Sequence, residues 1–249
     1  MRLIHFVKEN VVRANGVQFQ ENNFFCELGY CCLLIKDFIK EYCENDIERL
    51  VSFSFLDVIG HKKYGDVGKA GGKRKFATAE NTKLAKAIYF LLYADKLEKF
   101  SVKELFENSK YCSGVLINSF SILFGEDYSF KTLVSVFEGD EYSSFLKKVC
   151  SFYHKVNTIG NFVLLPNVQI CEDKCFGESR EYLDSYLETV KNDVGFVPRY
   201  KFVDLLRNKA NNEYKKEFIE YANNYIDMAE KMIEKRAVSI ISDLKNKLV

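Results

Sequence analysis

The chain has 249 residues, of which 47% are apolar and 29% charged, and 36 Lys+Arg nearly cancel 35 Asp+Glu to leave a net charge of +1. That length buries a hydrophobic core without disulfide or metal staples, and the composition excludes a disordered chain, a collagen-like chain and a strongly basic nucleic-acid coat. With 2 Pro and 13 Gly, it also lacks the turn density of an all-β sandwich. Near-neutrality gives little long-range steering, so any charged partner must be met by a local patch. The opening residues reach the pair Lys8-Glu9 before any long apolar run, and Tyr30 to Ile35 is too short to cross a bilayer. The expectation is a cytoplasmic protein with no membrane association, whose eight cysteines are free thiols.

In chain order, the first clear element is a helix from Phe24 to Ile39, with Phe24, Leu28, Cys31, Leu34, Ile35 and Phe38 at core spacing. A polar break at Glu44-Asn45-Asp46 precedes a second apolar segment, Ile47 to Ile59. His61 to Lys75 then reads as a loop with six Lys/Arg against one Asp, a local charge of +5 that leaves the rest of the chain at −4. Its glycines let backbone N–H groups approach phosphate, and Lys62, Lys63, Lys69, Lys73, Arg74 and Lys75 are the candidate nucleic-acid contacts. It is not a nucleotide P-loop, because Val67 and Arg74 stand where that motif needs Gly and Ser/Thr. Asp57 and His61 would share a helix face only if the helix ran through Gly60.

Thr78 or Thr82 can cap the next helix, which runs to about Tyr93 with Leu84, Ala87, Ile88, Leu91 and Leu92 inward. Ser101 to Glu104 has the form of a capping box, and helices are expected at about 101–108, 112–124, 129–137, 141–155 and 179–192. Phe162 to Leu165, ended by Pro166, reads as a short strand. Tyr214, Phe218, Tyr221, Tyr225, Met228 and Met232 step at heptad spacing, and Ile233, Ile240, Ile241, Leu244 and Leu248 continue the apolar side. This predicts a long C-terminal amphipathic helix, with a candidate break at Asn223-Asn224 and a candidate protein-docking or self-association surface over 211–248. The fold class is mainly α (α+β), with a small β element near residues 157–167. Residues 1–140 form a helical N-terminal region carrying the basic loop and 141–249 a second region. Without a Pro/Gly/Ser linker between them, one compact unit or two closely packed halves is expected.

The segment Asn157-Thr158-Ile159-Gly160-Asn161-Phe162-Val163-Leu164-Leu165-Pro166-Asn167 resembles the Leu/Ile-Gly-Asn-hydrophobic-x-Leu-Leu string of HNH-type domains in GmrSD-like modification-dependent restriction enzymes, and a similar string in uncharacterised bacterial proteins. Arg180 and Tyr182 follow in comparable order, and Ile233 to Arg236 matches the family's late Ile-x-x-Arg element, so the resemblance spans about residues 150–240. It implies a nucleic-acid-associated protein, in phage defence or counter-defence. The family's base is a His in an acidic-His-hydrophobic-x-Pro string, and nothing between Ser101 and Val156 has that form. Asn157 stands where the family often has His, and asparagine cannot serve as a base. The resemblance therefore implies a degenerate, non-catalytic copy, with His61 and His154 the only internal candidates for a base in an active metal-dependent nuclease. Read from the residues alone, Gly160 supplies a positive-φ position, and Asn157 and Asn161 close the turn before the strand.

Cys150, His154, Cys171 and Cys175 are of the kinds that ligate zinc, as two pairs flanking the 157–167 segment, and form a candidate structural site. Cys26, Cys31, Cys32, Cys43 and Cys112 sit among apolar neighbours and read as small core residues.

Overall fold

A computed structural model of the chain describes residues 24–65, 78–94, 111–115, 130–166 and 212–248. Within them the fold is mainly helical: α1 (Phe24–Tyr42), α2 (Lys83–Leu92), α3 (Phe130–Val136), α4 (Ser143–Lys155) and the long α5 (Asn212–Leu248). Short 3-10 turns lie between them, and β1 (Tyr111–Val115) runs antiparallel to β2 (Phe162–Pro166), with Tyr111 opposite Pro166 and Val115 opposite Phe162. The helix expected over 112–124 therefore gives way to a strand at its start. Cys112 to Val115 pairs with the apolar run Phe162 to Leu165, a partner far along the chain that local periodicity does not register. The expected elements at 101–108 and 179–192 lie outside the described residues, as does the region before α5 from Lys201 to Asn211.

Local chemistry sets the boundaries. α1 ends because Glu44 and Asn45 adopt left-handed backbone (φ 53° and 65°), with the Asn45 N–H donating to the Ile39 carbonyl. Asp46 then accepts from the Glu48 N–H and starts the 3-10 turn Ile47–Val51, so the apolar stretch 47–59 is two 3-10 turns rather than one helix. Thr82 is the cap of α2: its Oγ1 accepts from the Ala85 N–H at 3.3 Å and donates to the Ala79 carbonyl at 2.9 Å. Thr78 does not cap a helix; its hydroxyl accepts from the Asn81 amide at 2.7 Å. Leu84, Ala87, Ile88, Leu91 and Leu92 all face inward, and Tyr89 and Phe90 are buried too, so α2 is enclosed on nearly every side.

α5 organises the packing. At 1.5 Å per residue it is about 55 Å long, and it is continuous through the candidate break at Asn223-Asn224. Its first half buries Phe218, Ala222, Ile226 and Ala229 against Leu133 and Phe137 and against Phe145, Val149 and Phe152 of α4. Its second half buries Ala237, Ile240, Ile241 and Leu244 in the other core, packing on α2 and on the 3-10 turns Ile47–Val51 and Ile159–Asn161. The packing thus does not divide at residue 140; one helix belongs to both cores. Tyr214, Tyr221 and Met228 of the heptad pattern are only partly buried, and small residues at Ala222 and Ala229 take the closest approach instead. Among the described residues, no helix is long and apolar enough to cross a membrane.

Lys148–Asp227 (2.7 Å) and Lys155–Glu234 (3.5 Å) tie α4 to α5 along an exposed edge, where ion pairs add little stability. Between them, burial pushes the Glu230 carboxyl above its usual range, only partly opposed by Lys155 and Lys148. The folded state then holds that proton more tightly than the unfolded chain, so this group subtracts stability as pH rises through the carboxylate range.

Two outcomes follow in thermal melts. Thr82→Ala is expected to lower stability by about 1–2 kcal/mol. Glu230→Gln is expected to raise the Tm at pH 7, and the gain should shrink as the pH falls through the carboxylate range and Glu230 takes up its proton. A gain independent of pH would show that the Glu230 charge is not its source.

Candidate functional site

The base of the basic loop is built from short-range contacts. Gly60 has φ +81°, which ends the 3-10 turn Phe55–Val58 and separates Asp57 from His61, so no Asp–His pair forms on a shared helix face. His61 Nδ1 accepts from the backbone N–H groups of Lys63 and Tyr64, each at 3.3 Å. With Nδ1 accepting, a neutral ring carries its hydrogen on Nε2. The Tyr64 side chain is fully buried and its carbonyl accepts from the Leu84 N–H at 3.1 Å, while the Gly65 carbonyl accepts from the Lys83 N–H at 3.3 Å. Lys83 Nζ also donates to the Lys62 carbonyl. The flanks of the segment 66–77 are thereby tied together at the start of α2.

Of the six candidate cations, two are in the described part. Lys63 is engaged: its Nζ lies 3.1 Å from Asp37 and 3.0 Å from Glu41 on α1, and it holds the Glu41 carboxyl below the usual range. It anchors the loop rather than offering its charge. Lys62 is exposed, and among the described residues it takes part in no ion pair. Lys69, Lys73, Arg74 and Lys75 lie outside the described residues.

Beside this base is a cluster of rings that sequence periodicity did not single out. Phe38 stacks on Tyr42 (4.8 Å between centroids, 11° between planes), and Phe53, Tyr64 and His61 meet Tyr42 edge-on at 6.3, 5.7 and 6.3 Å. His61 in turn stacks on Tyr64 at 5.1 Å. Burial pushes the Tyr64 phenol up to about 12. Tyr42 keeps 42% of its surface exposed although five aromatic rings, its own included, are packed together here.

The 157–162 segment is an internal clamp. The last turn of α4 leaves carbonyls without helical partners, and three side chains of this segment donate to them. Asn157 Nδ2 reaches the Tyr153 carbonyl (2.7 Å), Thr158 Oγ1 the Lys155 carbonyl (2.9 Å) and Asn161 Nδ2 the Val156 carbonyl (2.8 Å). Thr158, Gly160 and Asn161 are buried, so Asn161 cannot meet a phosphate at the surface. Gly160 is not a positive-φ residue, as its place before a strand suggested. Glycine is required because a Cβ there would lie 2.0 Å from the Ile233 carbonyl oxygen and 2.9 Å from the Ala237 methyl on α5. Arg236, fully buried, donates Nη1 to the Gly160 carbonyl (2.8 Å) and the Phe162 carbonyl (2.6 Å). The two stretches singled out in sequence, 157–167 and Ile233 to Arg236, are thus in direct contact. The signal for Arg236 was its position: it lies between Met232, Ile233, Ala237 and Ile240 on the buried side of α5.

Cys150 and His154 are exposed on α4, and Cys171 and Cys175 lie outside the described residues. Among the described residues no group of three or more His, Cys, Asp or Glu side chains is placed to hold a metal. Cys31 and Cys43 are buried and Cys32 half-buried, and burial pushes the Cys43 thiol up to about 11 and raises Cys32, as inert core thiols. The side chains of Cys26 and Cys112 lie outside the described residues.

Gly160→Ala is expected to cost about 1–3 kcal/mol by overpacking against the α5 backbone. Arg236→Met, which strips two buried carbonyls of their donor, should cost at least as much. Chemical denaturation of both variants checks this, and a wild-type midpoint for either would remove the clamp role. The chain matches no protein-family model, no curated protein and no solved structure.

Proposed function

We propose that the chain is a non-catalytic nucleic-acid-binding protein whose contact is the cationic segment 61–75, descended from an HNH-type nuclease that has lost its base. The observation that carries this reading is the closed base of the segment. Tyr64 and Gly65 accept from Leu84 and Lys83, so described residues on either side of a stretch with four further cations, Lys69, Lys73, Arg74 and Lys75, are tied together. Cations concentrated on a short glycine-rich stretch bind phosphate through counterion release, and an almost neutral chain needs such a patch to do so. The non-catalytic part of the reading is supported by His61 Nδ1 being used by backbone donors and by the burial of Asn161. The resemblance motivates a setting in phage defence or counter-defence.

Docking of a protein on α5 has less in its favour. The apolar side of that helix is filled by its own chain, and Val238 is its strongly exposed large apolar residue among those described.

The test is a titration of labelled oligonucleotides at two salt concentrations. The variant Lys69→Ala/Lys73→Ala/Arg74→Ala/Lys75→Ala is expected to lose most of the affinity at low salt. The slope of log K against log salt should fall by up to about 4, near one unit per lost phosphate contact. A variant that binds as the parent does, with the parent's slope, eliminates the segment as the contact.

A further inference from the structure

We infer that Tyr42, with His61 set perpendicular beside it, is a stacking platform for an unpaired base, so that the nucleic acid bound is single-stranded. This rests on the nucleic-acid-binding reading above and adds the class of strand. Tyr42 lies at the end of α1 with one ring face covered by Phe38 at 4.8 Å and with Phe53, Tyr64 and His61 set at steep angles to it. Those contacts fix the ring while 42% of the residue remains in solvent. A ring stacked on one face and exposed is preorganised, so ordering it on binding costs little conformational entropy.

The neighbourhood supplies the other two requirements of a single-strand site, room and positive charge. His61 is exposed, lies 6.3 Å from Tyr42 between centroids, and is held by the two N–H groups that Nδ1 accepts. Next to it, a Cβ built on Gly60 would meet nothing within 4 Å, so that side of Gly60 faces open space. Lys62, exposed and without an ion pair among the described residues, follows His61 directly. The clamp of Lys63 on Asp37 and Glu41 keeps two nearby carboxylates from repelling a phosphate at full strength. Bases stack on aromatic faces whatever their identity, and a duplex, whose bases are already stacked, offers no free face to Tyr42.

The chain contains no tryptophan, which provides a direct readout. In Tyr42→Trp the new indole is the sole tryptophan, and stacking on a base is expected to quench its emission. Titration with a 20-mer of dT, a 20-mer of rU and a blunt 20-base-pair duplex should show quenching by one or both single strands and little by the duplex. Tyr42→Ala is expected to weaken binding of the quenching strand by about 5- to 100-fold, with Tyr42→Phe restoring it, while the duplex is affected less than 2-fold. Circular dichroism melts of each variant confirm that the fold persists. Strand binding without quenching of Tyr42→Trp, or equal quenching by duplex, overturns the platform while leaving the nucleic-acid reading in place. Failure of the unaltered protein to bind any of the three at low salt overturns both.

Discussion

The buried guanidinium of Arg236 is the contact on which the rest of the arrangement depends. Charge is costly to bury unless its donors are used, and here two backbone carbonyls of the 159–162 turn accept from Nη1. Those carbonyls are within reach only because Gly160 lets the turn lie directly on the α5 backbone at Ile233. The interaction fixes both the position of the turn along α5 and its rotation about it, which a purely apolar contact would leave less defined. From that point the two cores extend in opposite directions along the same helix. The turn also passes the constraint toward the basic segment: the Asn157 carbonyl accepts from the Phe55 N–H at 2.9 Å, and Phe55 meets Phe162 edge-on at 5.2 Å. Phe55 then touches Phe53, which abuts Tyr42 and Phe38.

A chain of aromatic contacts therefore runs from the clamp to the base of the cationic segment. It is a packing path, and its consequence is rigidity at Tyr42 and His61. The sequence has 22 Phe and 15 Tyr, and a share of them form this one continuous ring cluster rather than scattered core positions. Rings of this size tolerate little rearrangement in a dense interior.

What was legible in the sequence was periodic. α1, α2, α4 and α5 repeat apolar residues at helical spacing over ten positions or more, and the inward residues of α1 and α2 follow directly, those of α5 in part. What was not legible depended on partners distant in sequence. Tyr111 to Val115 becomes a strand because of Phe162 to Pro166, and the Ile47 to Ile59 stretch breaks into 3-10 turns because Asp46, Phe53 and Phe55 take bonds that a helix would need. Gly160 was visible as a special glycine, but the reason, a backbone crossing some seventy residues later in the chain, belongs to tertiary structure. At the candidate site the cations could be counted from the sequence, whereas the engagement of Lys63 by α1 and the exposed face of Tyr42 could not.

The placement of α5 also governs the order of events during synthesis. Every element it packs against precedes it in the chain, and both cores lack one wall until it arrives. Between Pro166 and Asn212 the ribosome must add a further stretch of chain, a delay of a few seconds at about 5–20 residues per second. Throughout that interval Leu50, Leu84 and Ile88 on one side, and Phe145, Val149 and Phe152 on the other, are without the helix that completes their cores in the finished fold. Apolar surface left uncovered in this way is open to off-pathway association for the length of that delay. A synonymous change that slows translation between residues 167 and 236 would lower the yield of folded protein without altering a single amino acid.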